Sequence, residues 1–144
     1  MRKTIFNVIK YILGCTSIAL GVVFMLKSEV GLSSWDTLHF SLHKLTGITM
    51  GTATIVVAAV FTVIVIIMNH NFKYIFMAIP IFVVGGLIDV FNLYVFSDLN
   101  PDKMVFSIFL FISGIILLPF GGSLLIASTY PAGVFDEFML VVMK

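Results

Sequence analysis

Four apolar runs, each about as long as a bilayer's hydrocarbon layer is thick, leave this chain few folds to choose from. They cover residues 5–25, 50–68, 75–96 and 105–126. A transmembrane helix needs about 20 predominantly apolar residues. Inside lipid, every backbone N–H and C=O must be satisfied within the spanning element itself. Each run is therefore read as a spanning helix. Composition agrees, with 60% hydrophobic and 10% charged residues and a mean hydropathy of +1.19, whereas soluble domains carry about 25% charged residues.

At 144 residues the chain has room for four spans and short loops, so one membrane domain is predicted. A net charge of +1 without a basic stripe leaves no nucleic-acid footprint. The single cysteine, Cys15, excludes an internal disulfide and by itself makes no zinc site. Ile12-Leu13-Gly14-Cys15 resembles a loose lipoprotein cleavage box. Asn7 and Lys10 interrupt the apolar stretch before it, so the first run is expected to remain as a span.

Between the first two runs lies the most polar, turn-rich stretch, from Gly31 to Gly51. Ser33 followed three residues later by Asp36 has the form of a capping box, in which both side chains engage the unpaired N–H groups of a helix start. Gly47 is a stop signal, and Thr49 can cap the helix that follows. The helix between them is too short to span. Trp35, Leu38, Leu42 and Leu45 fall on one face of it, and Asp36, His39 and His43 on an adjacent face. Such a helix belongs at the membrane interface or in a re-entrant fold.

Small residues recur at helical spacing in the runs. Gly14, Ser17 and Gly21 form one stripe, and Gly51, Thr54, Ala58 and Thr62 another; both suit close helix packing. Pro80 with Gly85-Gly86, and Pro119 with Gly121-Gly122, mark the third and fourth runs, where packing is again the expected use. Arg2, Lys3, Lys10 and Lys73 fall on one side of the membrane, with Lys144, and Lys27, Lys44 and Lys103 on the other. The bias predicts a cytoplasmic N-terminus.

Sliding the chain by 100 residues aligns residues 5–44 with 105–144 without a gap. Phe6, Ile12, Gly14, Gly21, Ser28, Asp36 and Lys44 meet identical residues, and Trp35 meets Phe135. Seven identities in forty is a modest excess for two apolar segments, but the glycines, the loop aspartate and the terminal lysine all coincide. Three spans separate the copies, so the second would run through the membrane the opposite way, as in the inverted repeats of many secondary transporters. The predicted fold is an all-α membrane protein with about four transmembrane helices, two short amphipathic or re-entrant helices and a partial 3+3 inverted repeat. Residues 1–96 form the first repeat, and 105–144 begin a second that is incomplete. A full 3+3 protein would need roughly 50 to 70 further residues.

Gly31-Leu32-Ser33-Ser34-Trp35-Asp36, followed by Leu45-Thr46-Gly47-Ile48-Thr49-Met50-Gly51-Thr52-Ala53, resembles the signature of the YczE/YyaS/YitT family of bacterial multi-spanning membrane proteins. Gly86-Leu87-Ile88-Asp89 and Gly133-Val134-Phe135-Asp136 fit the same pattern. Ser34 departs from it, standing where a proline is expected before the Trp-Asp pair. Members of that family usually run longer. The resemblance implies the bacterial cytoplasmic (inner) membrane as location, and carries over no functional residue.

Asp89 lies well inside the third run, with Gly85 and Asn92 on its face. An acidic side chain there suggests a substrate, ion or proton site, or else a hydrogen-bonded strut between helices. Asp36 and Asp136 suit the first turn of a short helix, where the helix dipole favours a carboxylate. His39 and His43 have the i, i+4 spacing of a metal pair. Met139 and Met143 take their places in the second copy, so solvated or headgroup-facing histidines are expected and no metal. The candidate substrate-binding residues are Asp89, Asn92, Trp35, Asp36 and Asp136. No nucleophile–base pair or phosphate-cradling loop is legible, so neither an enzyme nor a cofactor is expected. The expected function is transporter-like, with the lipid bilayer and a small solute or ion as partners and a homo-oligomer as an open option. The alternative is a non-transporting membrane partner that anchors or assists other proteins.

Overall fold

A computed structural model describes residues 2–70, 75–76, 78–101 and 103–128. All regular structure among them is helical. Helix α1 covers Arg2–Ser28, α2 Ser34–Thr46, α3 Met50–Asn69, α4 Ala78–Val90 and α5 Met104–Ile126. A π-helical turn, Phe91–Val95, continues α4 and closes with the Phe96 N–H donating to the Phe91 carbonyl at 2.8 Å. Four segments are long and apolar enough to cross a bilayer: Thr4–Ser28, Met50–Met68, Ala78–Val95 and Met104–Ile126. At 1.5 Å per residue, α2 reaches only about 20 Å and cannot span.

The ends of α2 follow from local chemistry. The Ser33 hydroxyl accepts the Asp36 N–H at 3.2 Å and donates to Asp36 Oδ2. Gly47, at φ 74°, takes the left-handed conformation and returns its N–H to the His43 carbonyl at 2.9 Å. Thr49 then caps α3, accepting the Thr52 N–H at 3.2 Å. Pro80 falls in the first turn of α4, where the N–H it lacks would have no helical partner. Pro119 stands inside α5.

The bundle is organised around α1, which packs most extensively against α5 and also meets α4 and the π-turn. Cys15, Ala19 and Val23, spaced by four, are fully buried. The cluster they head includes Met50, Val84, Ile88 and Leu125. Close approach to α5 depends on glycine. A methyl group on Gly121 would stand 2.7 Å from the Gly14 carbonyl oxygen, and one on Gly114 2.8 Å from that of Gly21. The two helices are thus antiparallel, and each glycine of one lies on a glycine of the other. α3 and α4 meet in the same way, with a methyl on Gly85 falling 2.8 Å from the Gly51 carbonyl oxygen. Packing and lack of bulk hold helices together where lipid removes the hydrophobic drive.

The outward faces are apolar. Phe6, Ile12, Val63, Ile67, Phe82, Phe109 and Ile116 are all exposed on the bundle surface. An apolar surface of this extent is a lipid contact, since the bilayer is as apolar as the side chains it touches. The chain is a membrane protein in contact with the bilayer.

Candidate functional site

Helix α2 buries Asp36 and His39 against the bundle, while Ser34, Thr37, Ser41 and Lys44 are exposed. Asp36 is 5% exposed and His39 2%, whereas Leu45 is 84% exposed and Leu38 45%. The reading of His39 as a solvated or headgroup-facing side chain is corrected here. The i, i+3 spacing sets Asp36 and His39 on one face of α2, and that face is the one packed on the bundle. His43 is half-buried and donates Nδ1–H to the Ile48 carbonyl, which can only accept. It is thereby spent on the α2–α3 corner and does not join His39.

Asp36 and His39 face a cavity of about 410 Å³ between the helices. Ser33 and Trp35 of the α2 start line it with them, Ile18 and Val22 come from α1, and Thr54 from α3. Pro80, Ile81, Val84 and Ile88 of α4 and Leu118, Pro119, Gly122, Leu125 and Ile126 of α5 complete the wall. Every α-helix contributes. Asp36 Oδ1 lies 3.6 Å from His39 Nδ1, too long for a hydrogen bond. Trp35 is held edge-on against Phe61, with ring centroids 5.3 Å apart. Among the described residues, Asp36 and His39 supply two potential metal ligands, where a typical zinc site has three or four from the protein.

Asp89 does a different job. Its Oδ1 accepts the Gly51 N–H at 2.8 Å, and its Oδ2 accepts the Thr49 hydroxyl at 2.6 Å. The carboxylate therefore caps the N-terminus of α3 from the neighbouring helix, satisfying an orphan N–H where the dipole favours negative charge. It is not among the residues lining the 410 Å³ cavity. Asn92, one turn on, lines a separate cleft of about 560 Å³ with Lys27, Glu29, His43, Lys44 and Asn100. The structure thus brings Trp35 and Asp36 together in one site, and puts Asp89 and Asn92 elsewhere. Asp136 lies outside the described residues.

Sequence reasoning missed His39, Thr54 and the two prolines as cavity residues. For His39 a signal was present, since i, i+3 spacing puts it on the face of Asp36. For Pro80 and Pro119 none was, because their place in the wall depends on how three helices meet.

Residues 5–144 match DUF6198, described as a family of unknown function. The chain is also 26% identical over 135 residues to the "Uncharacterized membrane protein YczE" of Bacillus subtilis (strain 168). That alignment covers 92% of the chain and 60% of the relative, so the chain spans less than two thirds of that protein's length. No solved structure matches. Family match, relative and apolar helices agree with the signature between Gly31 and Ala53, and the chain belongs to the DUF6198 family and is a membrane protein similar to YczE.

Proposed function

We propose that this chain is the core of a transporter-like protein that binds a small solute in the cavity at the inward face of α2. The observation that carries this is the burial of Asp36 and His39 against a cavity to which every α-helix contributes. Ionisable groups within a membrane are costly and, by default, mark a solute or ion path.

The reading includes an inverted repeat, with residues 1–96 as the first copy and 105–144 as the start of the second. Two local geometries recur at the 100-residue offset and support it. Gly14 lies on Gly121 and Gly21 on Gly114, the reciprocal contacts that a two-fold axis between α1 and α5 requires. Ser28 and Ser128, both buried, donate to carbonyls three residues back, each at 2.6 Å. Ile18 and Leu118 line the cavity as a matched pair, and so do Val22 and Gly122. Transporters with such repeats bind substrate near the bilayer midplane where the copies meet. In this reading α2 is re-entrant, Asp136 is the counterpart of Asp36, the N-terminus is cytoplasmic and the membrane is the bacterial inner membrane.

Solute flux into vesicles reconstituted with the chain tests the proposal. Uptake that exceeds protein-free vesicles and falls in Asp36→Asn is the expected result. Flux indistinguishable from empty vesicles, together with a partner that co-purifies in fixed ratio, would favour the reading of a membrane partner that anchors or assists other proteins.

A further inference from the structure

From the chemistry of the cavity wall we infer that the solute is a small lipophilic amine, carrying one positive charge on an apolar body. The inference rests on the proposal that the cavity is a binding site. Among the described residues lining it, Asp36 and His39 are the ionisable ones, and none is lysine or arginine. The Asp36 side chain is 8% exposed and the His39 side chain 3%. Ser33 donates to one carboxylate oxygen, and the other lies 3.6 Å from the imidazole. A carboxylate so buried gains most from a cation, which restores the interaction that water would otherwise supply. The indole of Trp35, at the same wall, favours a cation over its face.

The rest of the wall limits the ligand's body. Ile18, Val22, Ile81, Val84, Leu118 and Leu125 offer no hydrogen bond from their side chains. The Thr54 hydroxyl already donates to the Met50 carbonyl at 3.0 Å. A sugar or a zwitterion would strand polar groups there, each at a desolvation cost that an apolar body avoids. The cavity of about 410 Å³ falls within the range of small-molecule pockets.

The chain has one tryptophan, and Trp35 lines the cavity, so its fluorescence reports occupancy of this site alone. The full chain in lipid nanodiscs is titrated with phenethylamine, phenethyl alcohol and phenylpropanoate, which share a body and differ in head group. Saturable change with the amine is expected, with affinity about tenfold or more above the alcohol and no response to the carboxylate. Asp36→Asn should bring the amine down to the alcohol's level, while Asp36→Glu keeps the preference. Equal binding of amine and alcohol, preference for the carboxylate, or an amine preference that survives Asp36→Asn overturns the inference. If Asp36→Asn does not fold, the ranking in the parent chain decides. Amine binding without flux in vesicles would sink the transport reading and leave the ligand class standing. Flux of a neutral solute without amine binding would do the reverse.

Discussion

The Ser17 hydroxyl donates to the carbonyl of Leu117, one hundred residues further along the chain, at 2.9 Å. The bond sits between the two glycine contacts of α1 and α5, and two residues before Pro119. Proline inside a helix removes a backbone donor and pushes against the preceding turn. A side-chain donor from the facing helix at this point ties the perturbed stretch of α5 to α1. The cavity wall at Leu118 and Pro119 is therefore positioned from α1, not by α5 alone.

The glycine contacts give opposite signs for one substitution type. In Gly121→Ala the new methyl meets the Gly14 carbonyl oxygen at 2.7 Å and the Ile18 nitrogen at 2.8 Å, both backbone atoms that cannot rotate away. A loss of about 1–3 kcal/mol is expected. Gly86→Ala meets nothing within 4 Å and gains helix propensity, so it should be neutral or stabilising by up to about 1 kcal/mol. Thermal unfolding in detergent compares them. Equal melting temperatures would show that α1 and α5 do not pack on these glycines.

Asp89 offers a test of strut against site. Asp89→Asn keeps one acceptor for Gly51 or Thr49 and should cost about 1–2 kcal/mol; Asp89→Leu strands both donors and should cost about 2–4 kcal/mol. In a double-mutant cycle with Thr49→Ala, the strut predicts coupling of at least about 0.5 kcal/mol. Solute flux should be spared in Asp89→Asn once protein abundance is matched. Full stability with abolished flux would return Asp89 to the transport site.

Much of this was written locally. The apolar runs end within a few residues of the spans, because hydrocarbon thickness sets helix length. Ser33, Gly47 and Thr49 act on their own backbone neighbours, so their capping roles were legible. The glycines of α1 were legible as a packing stripe, but their crossed contacts, Gly14 with Gly121 and Gly21 with Gly114, depend on how α1 and α5 meet. Asp89 was read as either site or strut, and nothing local decides, since its partners are 38 and 40 residues away. The inward turn of His39 was hidden for another reason. Residue types define two faces of α2, but only the solvent decides which face is the outside.

The cleft around Asn92 tests orientation. Lys27, Lys44 and Asn100 line it together, so the α1–α2 and α4–α5 connections share one side of the bundle. The charge bias assigns that side to the exterior. Cysteine at Asn100 should react with an impermeant maleimide added to intact cells, while Cys15, fully buried, stays silent. Labelling of the Asn100 site only after the membrane is opened would reverse the topology.

The orientation of α2 can be measured residue by residue. Leu38 and Leu45 are exposed on the face turned away from the bundle, Leu42 is half-buried, and His39 is buried. A nitroxide attached to cysteine at each position, in turn, reports its surroundings by collision with oxygen, which concentrates in lipid, and with a polar nickel chelate, which stays in water. If α2 is re-entrant, positions 38 and 45 should collide with oxygen far more than with nickel, and position 39 with neither. A helix lying in the headgroups with its charges outward would give the opposite pattern, with nickel access at 39. Because leucine gains from lipid contact while a carboxylate or imidazole loses, that outcome would require Asp36 and His39 to leave the bundle. The cavity would then lose its polar wall, and the solute site with it.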